Sequence, residues 1–416
     1  MAKARQIFGE IKAQKDSRNG RILVFTGARQ VGKTTLVKKG LADYTYLSIE
    51  DPVMRGAYTA LSAAQWHALY PKAALDEIQK EPRLIESVKA TYDQYEDVRY
   101  TLLGSSQLLL MKQVKESLAG RCSILELYPL TLPELRTEHF SETVTPSIWQ
   151  RILKGGEIPE VLPSFLLDPD MAQKQKAFDH YIKFGGYPAL TATDMTDDEK
   201  FRWLSGYVRT YLERDIRDLA NFRELEPFVK LQQALAMQTG TLFNASNLAN
   251  RLGLSPKTVQ RYLTYLDLSY QTITLTPWER NEGKRLAKMP KVHFMDNGVL
   301  QAVLQKKGGV TGAEFESLVI AEIYKQTKNI LAPVKFYHLR THDGKEIDLL
   351  AELPGGYIAF EIKMTEKVLK EDAKHLLKIG DMLDKPLLHG FVLSNDKSVT
   401  KFSENVTAIH AAQFLG

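Results

Sequence analysis

The sequence predicts an α/β protein in three parts, and three features carry that prediction. A glycine-bearing octapeptide, Gly27 to Thr34, sits between a β-type apolar run and the start of a helix. Two short helical patterns meet at Gly253, well into the second half of the chain. Beyond Thr311, two β-type runs flank Leu353-Pro354-Gly355-Gly356, a turn by composition. The parts divide as residues 1–165, 166–310 and 311–416, and 416 residues suffice for a core in each.

Bulk properties exclude several classes. Hydrophobic residues at 44% and charged residues at 25% are ordinary for a globular chain and argue against a disordered or fibrous one. No apolar stretch approaches ~20 residues, so no membrane span is expected. The start, Met1-Ala2-Lys3-Ala4-Arg5-Gln6, leads into no signal-peptide core. A single cysteine, Cys122, excludes an internal disulfide framework and a cysteine-rich metal site. A cytoplasmic protein is the expectation. The net charge of +5 permits nucleic-acid binding without requiring it.

The octapeptide Gly27-Ala28-Arg29-Gln30-Val31-Gly32-Lys33-Thr34 follows Ile22-Leu23-Val24-Phe25 and leads into Thr35-Leu36-Val37. Strand, glycine loop, then helix is the order a phosphate-binding loop requires. Gly27 and Gly32 free the backbone to turn N–H groups toward a polyphosphate at a helix N-terminus. Lys33 is placed to reach the β- and γ-phosphates, and Thr34 to offer its hydroxyl to Mg2+. The pattern predicts a nucleoside triphosphate held with Mg2+ by residues 27–35.

Leu75-Asp76-Glu77 supplies the expected acidic partner. Asp76 would hold the Mg2+ shell and Glu77 would orient and activate the attacking water, though the pair also suits a solvated helix start. The run Tyr100 to Leu103 ends in Gly104-Ser105-Ser106. It either sets small hydroxyls, Ser105 first, beside the γ-phosphate or is a plain strand-to-turn junction. Arg121 closes Ser117-Leu118-Ala119-Gly120-Arg121 just before another strand. It suits a surface ion pair, or an arginine offered to a neighbouring subunit's γ-phosphate, a contribution of roughly 10³–10⁵ in rate.

Residues from about 129 to 225 are mostly helical in pattern, with breaks at Gly155-Gly156 and Gly185-Gly186 that suggest a lid and a connector. Tyr207 to Leu219 reads as a helix whose Arg209, Glu213, Arg214, Asp215, Arg217 and Asp218 form a charged face. Asn244 to Leu248 starts a short helix, Gly253 turns the chain, and Ser255-Pro256 caps and starts a second helix. Val259, Leu263 and Leu266 face the core of that helix, with Lys257, Thr258 and Arg261 on the other side. A strand from Tyr270 to Thr276 and the basic Arg280, Lys284, Arg285, Lys288 and Lys291 follow, as in a helix-turn-helix with a wing. Such a face would approach the phosphates of duplex or branched DNA without reading sequence. The same unit also serves packing and oligomerisation.

The last part offers Glu316 on a helix, Gly344-Lys345-Glu346-Ile347-Asp348, and Glu361-Ile362-Lys363. A symmetric turn over Leu353 to Gly356 sets Asp348 opposite Glu361, with Lys363 on the same face. Carboxylates that hold a metal, plus a lysine that stabilises developing charge, are the parts of a Mg2+-dependent phosphodiester hydrolase. The alternative is a half-buried hairpin with a charged outer face and Ile347, Leu349, Ala351, Ile358, Phe360 and Ile362 inside. His293, His338 and His342 have no metal-ligand spacing and read as structural or surface residues.

These residues together resemble a family. Gly27 to Thr35, Leu75 to Gln79, Gly104 to Ser106, Ser117 to Arg121, Tyr128-Pro129-Leu130, Gly185 to Pro188, Tyr211 to Asp215 and Phe315-Glu316 are similar to bacterial and archaeal AAA-type ATPases joined to a restriction-endonuclease-like domain. Ala28 stands where proline is common. The last part resembles the PD-(D/E)xK nuclease core, with Glu316, Asp348, Glu361 and Lys363 in its four positions. The resemblance implies an AAA+ P-loop ATPase core, a helical and winged-helix middle and a restriction-endonuclease-like α/β C-terminal domain. It implies a homo-oligomeric ring, a hexamer, that acts on DNA, and the expected function is ATP hydrolysis coupled to remodelling or translocation of duplex or branched DNA. With no membrane span, no membrane partner is expected. The rival expectation is an ATP-controlled switch whose nuclease-like domain is not catalytic.

Overall fold

The structure, a computed structural model, describes residues 2–15, 17, 21–104, 114, 116–163, 168–212, 225–281, 288–341 and 344–416. Strand β1 (Ile22–Thr26) is buried at every position, the signature of a strand covered on both faces. Leu23 and Phe25 pack toward the helix Ile7–Lys15 and helix α1 (Lys33–Gly40), while Ile22 and Val24 pack toward α2 (Arg83–Gln94). With β2 (Thr45–Ser48), β3 (Lys72–Asp76), β4 (Arg99–Leu103) and β5 (Cys122–Glu126) it forms a parallel sheet in the order β2-β3-β4-β1-β5. β1 therefore lies between β4 and β5, the place where strand order reverses and a crevice opens at the carboxyl ends.

The middle of the chain is helical: α3 (Met171–Phe184), α4 (Asp197–Tyr207), α5 (Glu226–Met237), α6 (Ala245–Leu252) and α7 (Pro256–Leu268). Helix α4 runs on into a π-type turn over Val208–Leu212. Most of the expected charged helix beyond Tyr207, including Glu213, Arg214, Asp215, Arg217 and Asp218, lies outside the described residues. The turn between α6 and α7 is built as its composition demands. Asn244 caps the N–H of Asn247, Gly253 ends α6 at φ 66°, and Ser255 caps Thr258 ahead of Pro256. Val259, Leu263 and Leu266 are buried as expected.

Strands β6 (Thr272–Pro277) and β7 (Lys291–Phe294) form an antiparallel pair after α7. They also join the C-terminal sheet, because β6 pairs in parallel with β8 (Lys335–Arg340). With β9 (Glu346–Leu353), β10 (Gly356–Lys363), β11 (Leu387–Ser394), β12 (Thr400–Ser403) and β13 (Val406–His410) the order is β12-β13-β11-β10-β9-β8-β6-β7. Helix α8 (Gly312–Asn329) packs against β7 and β10. A single apolar cluster runs from Leu23 and Phe25 through Tyr128, Leu248 and Phe315 to Phe391 and Phe414. The three parts share a core. Among the described residues no helix is long and apolar enough to cross a membrane.

The β9–β10 hairpin differs from a half-buried ribbon. Leu353 pairs with Gly356 around a two-residue turn, Pro354-Gly355, and Phe360 pairs with Leu349. One face packs Leu349, Ala351, Ile358, Phe360 and Ile362 into the main core. The other packs Leu350, Tyr357 and Ala359 under the short turns that carry Ala373, Leu376 and Ile379. Ile347 joins this second cluster rather than the first. The hairpin thus has no solvated outer face, and Asp348 and Glu361 are buried with it.

Candidate functional site

The octapeptide leaves the buried end of β1 and enters α1. Gly27 has φ 143°, and a Cβ there would lie 2.1 Å from the carbonyl oxygen of Leu127, so the close approach of β5 requires glycine. Gln30 (φ 61°) and Gly32 (φ 96°) turn the loop, while Ala28 and Val31 anchor it in the core. Gly32 is the N-cap of α1 and supplies no side-chain cap, so the first N–H groups of the helix point into the crevice. Lys33 Nζ lies 2.7 Å from the carbonyl oxygens of both Gly27 and Ala28, at the centre of the loop. Thr34 Oγ1 donates to Asp76 Oδ2 at 2.7 Å, joining the start of α1 to the end of β3. Open amides, a central ammonium and a hydroxyl–carboxylate pair fit a polyphosphate with its Mg2+. Thr35 is exposed at the same turn.

Glu77 follows Asp76 in a left-handed conformation, φ 58°, and its carboxylate accepts from Gln79. Tyr46 also donates to Asp76 Oδ2, at 2.6 Å. Burial first, then this hydrogen bond, pushes the Tyr46 phenol up. Ser105 lies outside the described residues. Arg121 makes a two-pronged pair with Asp93, at 2.8 and 3.3 Å, on the surface. It precedes Cys122, which pairs with Ile22 at the amino end of the parallel sheet. Arg121 is therefore at the opposite end of the strands from its own loop.

Several contacts at the loop have no counterpart in the sequence pattern. Arg5 is buried and donates to the carbonyls of Val31, at 2.8 Å, and Tyr128, at 2.5 Å. Pro188 lies 4.0 Å from where a Cβ on Gly32 would stand, and Tyr207 Oη donates to the Arg29 carbonyl. Gly186 N–H donates to Asp296 at 2.7 Å, and a Cβ on Gly185 would lie 2.0 Å from Asp296 Oδ1 and one on Gly186 2.1 Å from the Leu130 carbonyl oxygen, so both positions before Tyr187-Pro188 require glycine. Tyr270 Oη contacts Thr26 Oγ1 beside the loop and donates to Glu126 Oε1 at 3.1 Å. None of these pairings has a local sequence signal, because even the shortest, Arg5 to Val31, joins residues 26 apart and the hydrogen bonds from Gly186, Tyr207 and Tyr270 span 110 or more.

The C-terminal residues assemble as a buried cluster. Asp348 and Glu361, 5% and 3% exposed, stand one residue beyond the last β9–β10 pair, Leu349 with Phe360. Asp348 Oδ2 accepts the N–H of Ile362 at 2.8 Å. Lys363 Nζ lies 2.8 Å from Glu361 Oε2 and 3.6 Å from Asp348 Oδ2. Glu361 Oε1 is buried with no hydrogen-bond partner, and His375 Nδ1 stands 3.6 Å away. Burial first, then the Asp348 charge, pushes the Glu361 and Glu316 carboxyls up. Glu316, on α8, meets Lys291 instead of a second carboxylate. Among the described residues no three His, Cys, Asp or Glu side chains converge as a metal shell. The Asp348–Glu361 pair with its unpartnered oxygen fits one cation held by two carboxylates.

The basic wing is largely engaged. Arg280 donates to the carbonyls of Met382 and Leu383, Lys288 pairs with Glu279, and Lys291 is 3% exposed. Lys291 is thus not a surface phosphate contact, because β7 carries it into the sheet. Lys284 and Arg285 lie outside the described residues, as does His342, while His293 and His338 are core residues. Lys257 and Arg261 remain exposed on α7.

Comparison with known proteins follows the same divisions. Residues 19–136 match the model of an AAA domain, 175–309 a domain of unknown function (DUF8612), and 311–414 a second one (DUF4143). The family boundary at 310 crosses a sheet that is continuous in space. The chain is 30% identical over 357 residues to the uncharacterized proteins Rv2008c of Mycobacterium tuberculosis and Mb2031c of Mycobacterium bovis, covering 83% of this chain and 70% of each. Among solved structures it is similar to the Walker-type ATPase PABY2304 of Pyrococcus abyssi, at 15% identity and a TM-score of 0.44 over 71% of this chain and 94% of that one. The chain belongs to the family of these mycobacterial proteins, and its residues 19–136 make it an AAA-type P-loop ATPase.

Proposed function

We propose that this ATPase couples hydrolysis to the binding and remodelling of duplex or branched DNA, as a ring of identical chains with six members. The observation that carries the DNA reading is the exposed face of α7, where Lys257 and Arg261 stand clear of the core on the second helix of a helix-turn-helix. Lysine and arginine so placed meet phosphates rather than bases, so the contact is independent of sequence. The unit is a winged helix in this reading, with β6 and β7 as its wing.

In the nucleotide loop, the α1 amides and Lys33 bind the phosphates, and Thr34 and Asp76 are the residues placed to hold Mg2+. That ion, when bound, neutralises phosphate charge. Glu77 orients the water for attack. Arg121 is too far along its own sheet to serve its own loop, which supports a role at a neighbour's γ-phosphate and hence the ring. The C-terminal part is a PD-(D/E)xK-like site in which Asp348 and Glu361 hold a divalent cation and Lys363 stabilises charge on a phosphodiester.

A second reading, an ATP-controlled switch with a non-catalytic nuclease-like part, draws on one observation. Tyr270 joins the middle of the chain directly to Thr26, one residue before the loop. The deciding experiment is ATP turnover with no DNA and with single-stranded, duplex or four-way-junction DNA, using Glu77→Gln as control. Stimulation by one DNA form, absent in the variant, supports the remodelling reading. A DNA-independent rate sinks it and leaves the switch.

A further inference from the structure

We propose that Lys291 is a member of the carboxylate cluster, an in-chain cation that competes with a divalent metal for Glu316. The inference rests on reading Asp348 and Glu361 as a cation site. Lys291 opens β7, an element of the middle part, and its side chain is 4% exposed. Its Nζ lies 3.1 Å from Glu316 Oε1 and 2.8 Å from Glu346 Oε1. The backbone holds it there, since Lys291 pairs with Leu275 in β6 and bridges to Leu242. This is an ammonium fixed on a strand, unlike a flexible surface lysine.

The charge balance gives that placement its meaning. Four carboxylates, Glu316, Glu346, Asp348 and Glu361, share the region with two lysines, Lys291 from one side and Lys363 from the other, and Arg340 on β8 stands opposite Glu346. Lys363 already neutralises the pair on the hairpin, and the unpartnered Glu361 Oε1 leaves one coordinating position there. A cation drawing on Glu316 as a third ligand must first take it from Lys291. A buried ion pair is costly to break from one side. Lys291 therefore sets the threshold at which the cluster accepts a metal, and the middle part controls a site whose carboxylates belong to the last part.

The test uses the full chain without nucleotide and Mn2+ as the probe, with free Mn2+ read by electron paramagnetic resonance. Wild type, Lys291→Met and Lys291→Arg are compared, each with and without Asp348→Asn. Lys291→Met is expected to bind at least about tenfold more tightly (roughly 1.4 kcal/mol), with the gain abolished by Asp348→Asn and absent in Lys291→Arg. Binding that is sensitive to Asp348→Asn but no tighter in Lys291→Met overturns the role of Lys291 and leaves the cation site standing. No Asp348-dependent binding in any form removes the cation site and this inference with it. A measurement on wild type alone covers the case in which Lys291→Met does not fold. Reductive methylation of Lys291, read by mass spectrometry, is expected to speed up severalfold when Mn2+ is added. An unchanged rate overturns the proposal.

Discussion

In the nucleotide loop, charge is handled mainly by backbone: glycines at positive φ, open amides at the start of α1, and a lysine and threonine from one continuous stretch. Only Asp76 comes from elsewhere, and it sits on the neighbouring part of the same sheet. In the carboxylate cluster, charge is handled by side chains from α8, β7, β9 and β10, with Lys291, Asp348 and Glu361 buried and ion pairs joining the members. The first site is complete once strands β1 and β3 and one helix form. The second exists only when the middle and last parts have packed, since Lys291 and Glu316 arrive from opposite sides of the 310 boundary. A site made of backbone survives loose packing around it. A site made of buried charges needs every partner in place.

That contrast can be broken most decisively at Arg121. If the loop is completed by a neighbour, Arg121→Ala lowers ATP turnover by roughly 10³-fold or more while the unfolding midpoint stays put, because its pair with Asp93 is on the surface. Mixing Arg121→Ala with Glu77→Gln chains then restores part of the rate. No rescue on mixing would mean that the loop needs nothing from another chain.

The buried half is probed at Lys325, whose pair with Glu322, at 3.3 Å, has both side chains fully buried. Lys325→Met leaves Glu322 uncompensated and is expected to cost about 3–5 kcal/mol in denaturant unfolding. Lys72→Ala, which breaks a half-exposed pair with Asp43, serves as the control and should leave the midpoint unmoved. Equal losses at the two positions would erase the distinction between the halves.

Acid should find the C-terminal half first. Burial, then the Lys291 charge, lowers His338 to about 4, against 6.5 for an unfolded histidine. Between those values the unfolded chain takes up a proton that the folded chain refuses. Stability is therefore complete above about pH 6.5 and falls as pH drops toward about 4, by up to about 3 kcal/mol from this group. His338→Asn should flatten that part of the stability profile, and an unchanged slope would place the acid sensitivity elsewhere.

The smallest expected effect is at the seam between the halves. Tyr270→Phe removes the contacts of its hydroxyl with Thr26 and Glu126 and should cost about 1–2 kcal/mol. Glu126 keeps its hydrogen bond from Tyr128, so the sheet edge itself should hold. ATP turnover followed in the same variant shows whether the seam carries anything besides stability.

Much of the first site was legible in the sequence. The octapeptide, Asp76 at a strand end, and the caps of α6 and α7 depend on neighbours a few residues away, and each stands where the local pattern put it. The β9–β10 register was legible too, because a symmetric turn fixes which residues face each other. Lys291 was read with the basic residues of a wing, since nothing in Lys291-Val292-His293-Phe294 says that both faces of that strand are covered. Glu346 had a usable signal. It stands two residues before Asp348 in β9, which puts the two on one face of the strand.

The sequence by itself determined the elements, the phosphate-binding loop and the pairing of Asp348 with Glu361, because helix caps, turns and strand alternation act over a few bonds. Only the tertiary structure decided that the hairpin is buried on both sides. It alone sent Arg121 to the far end of its own sheet and brought Lys291 to Glu316. Those outcomes depend on which surfaces exclude water together, and burial is a property of the packed chain rather than of any stretch of it.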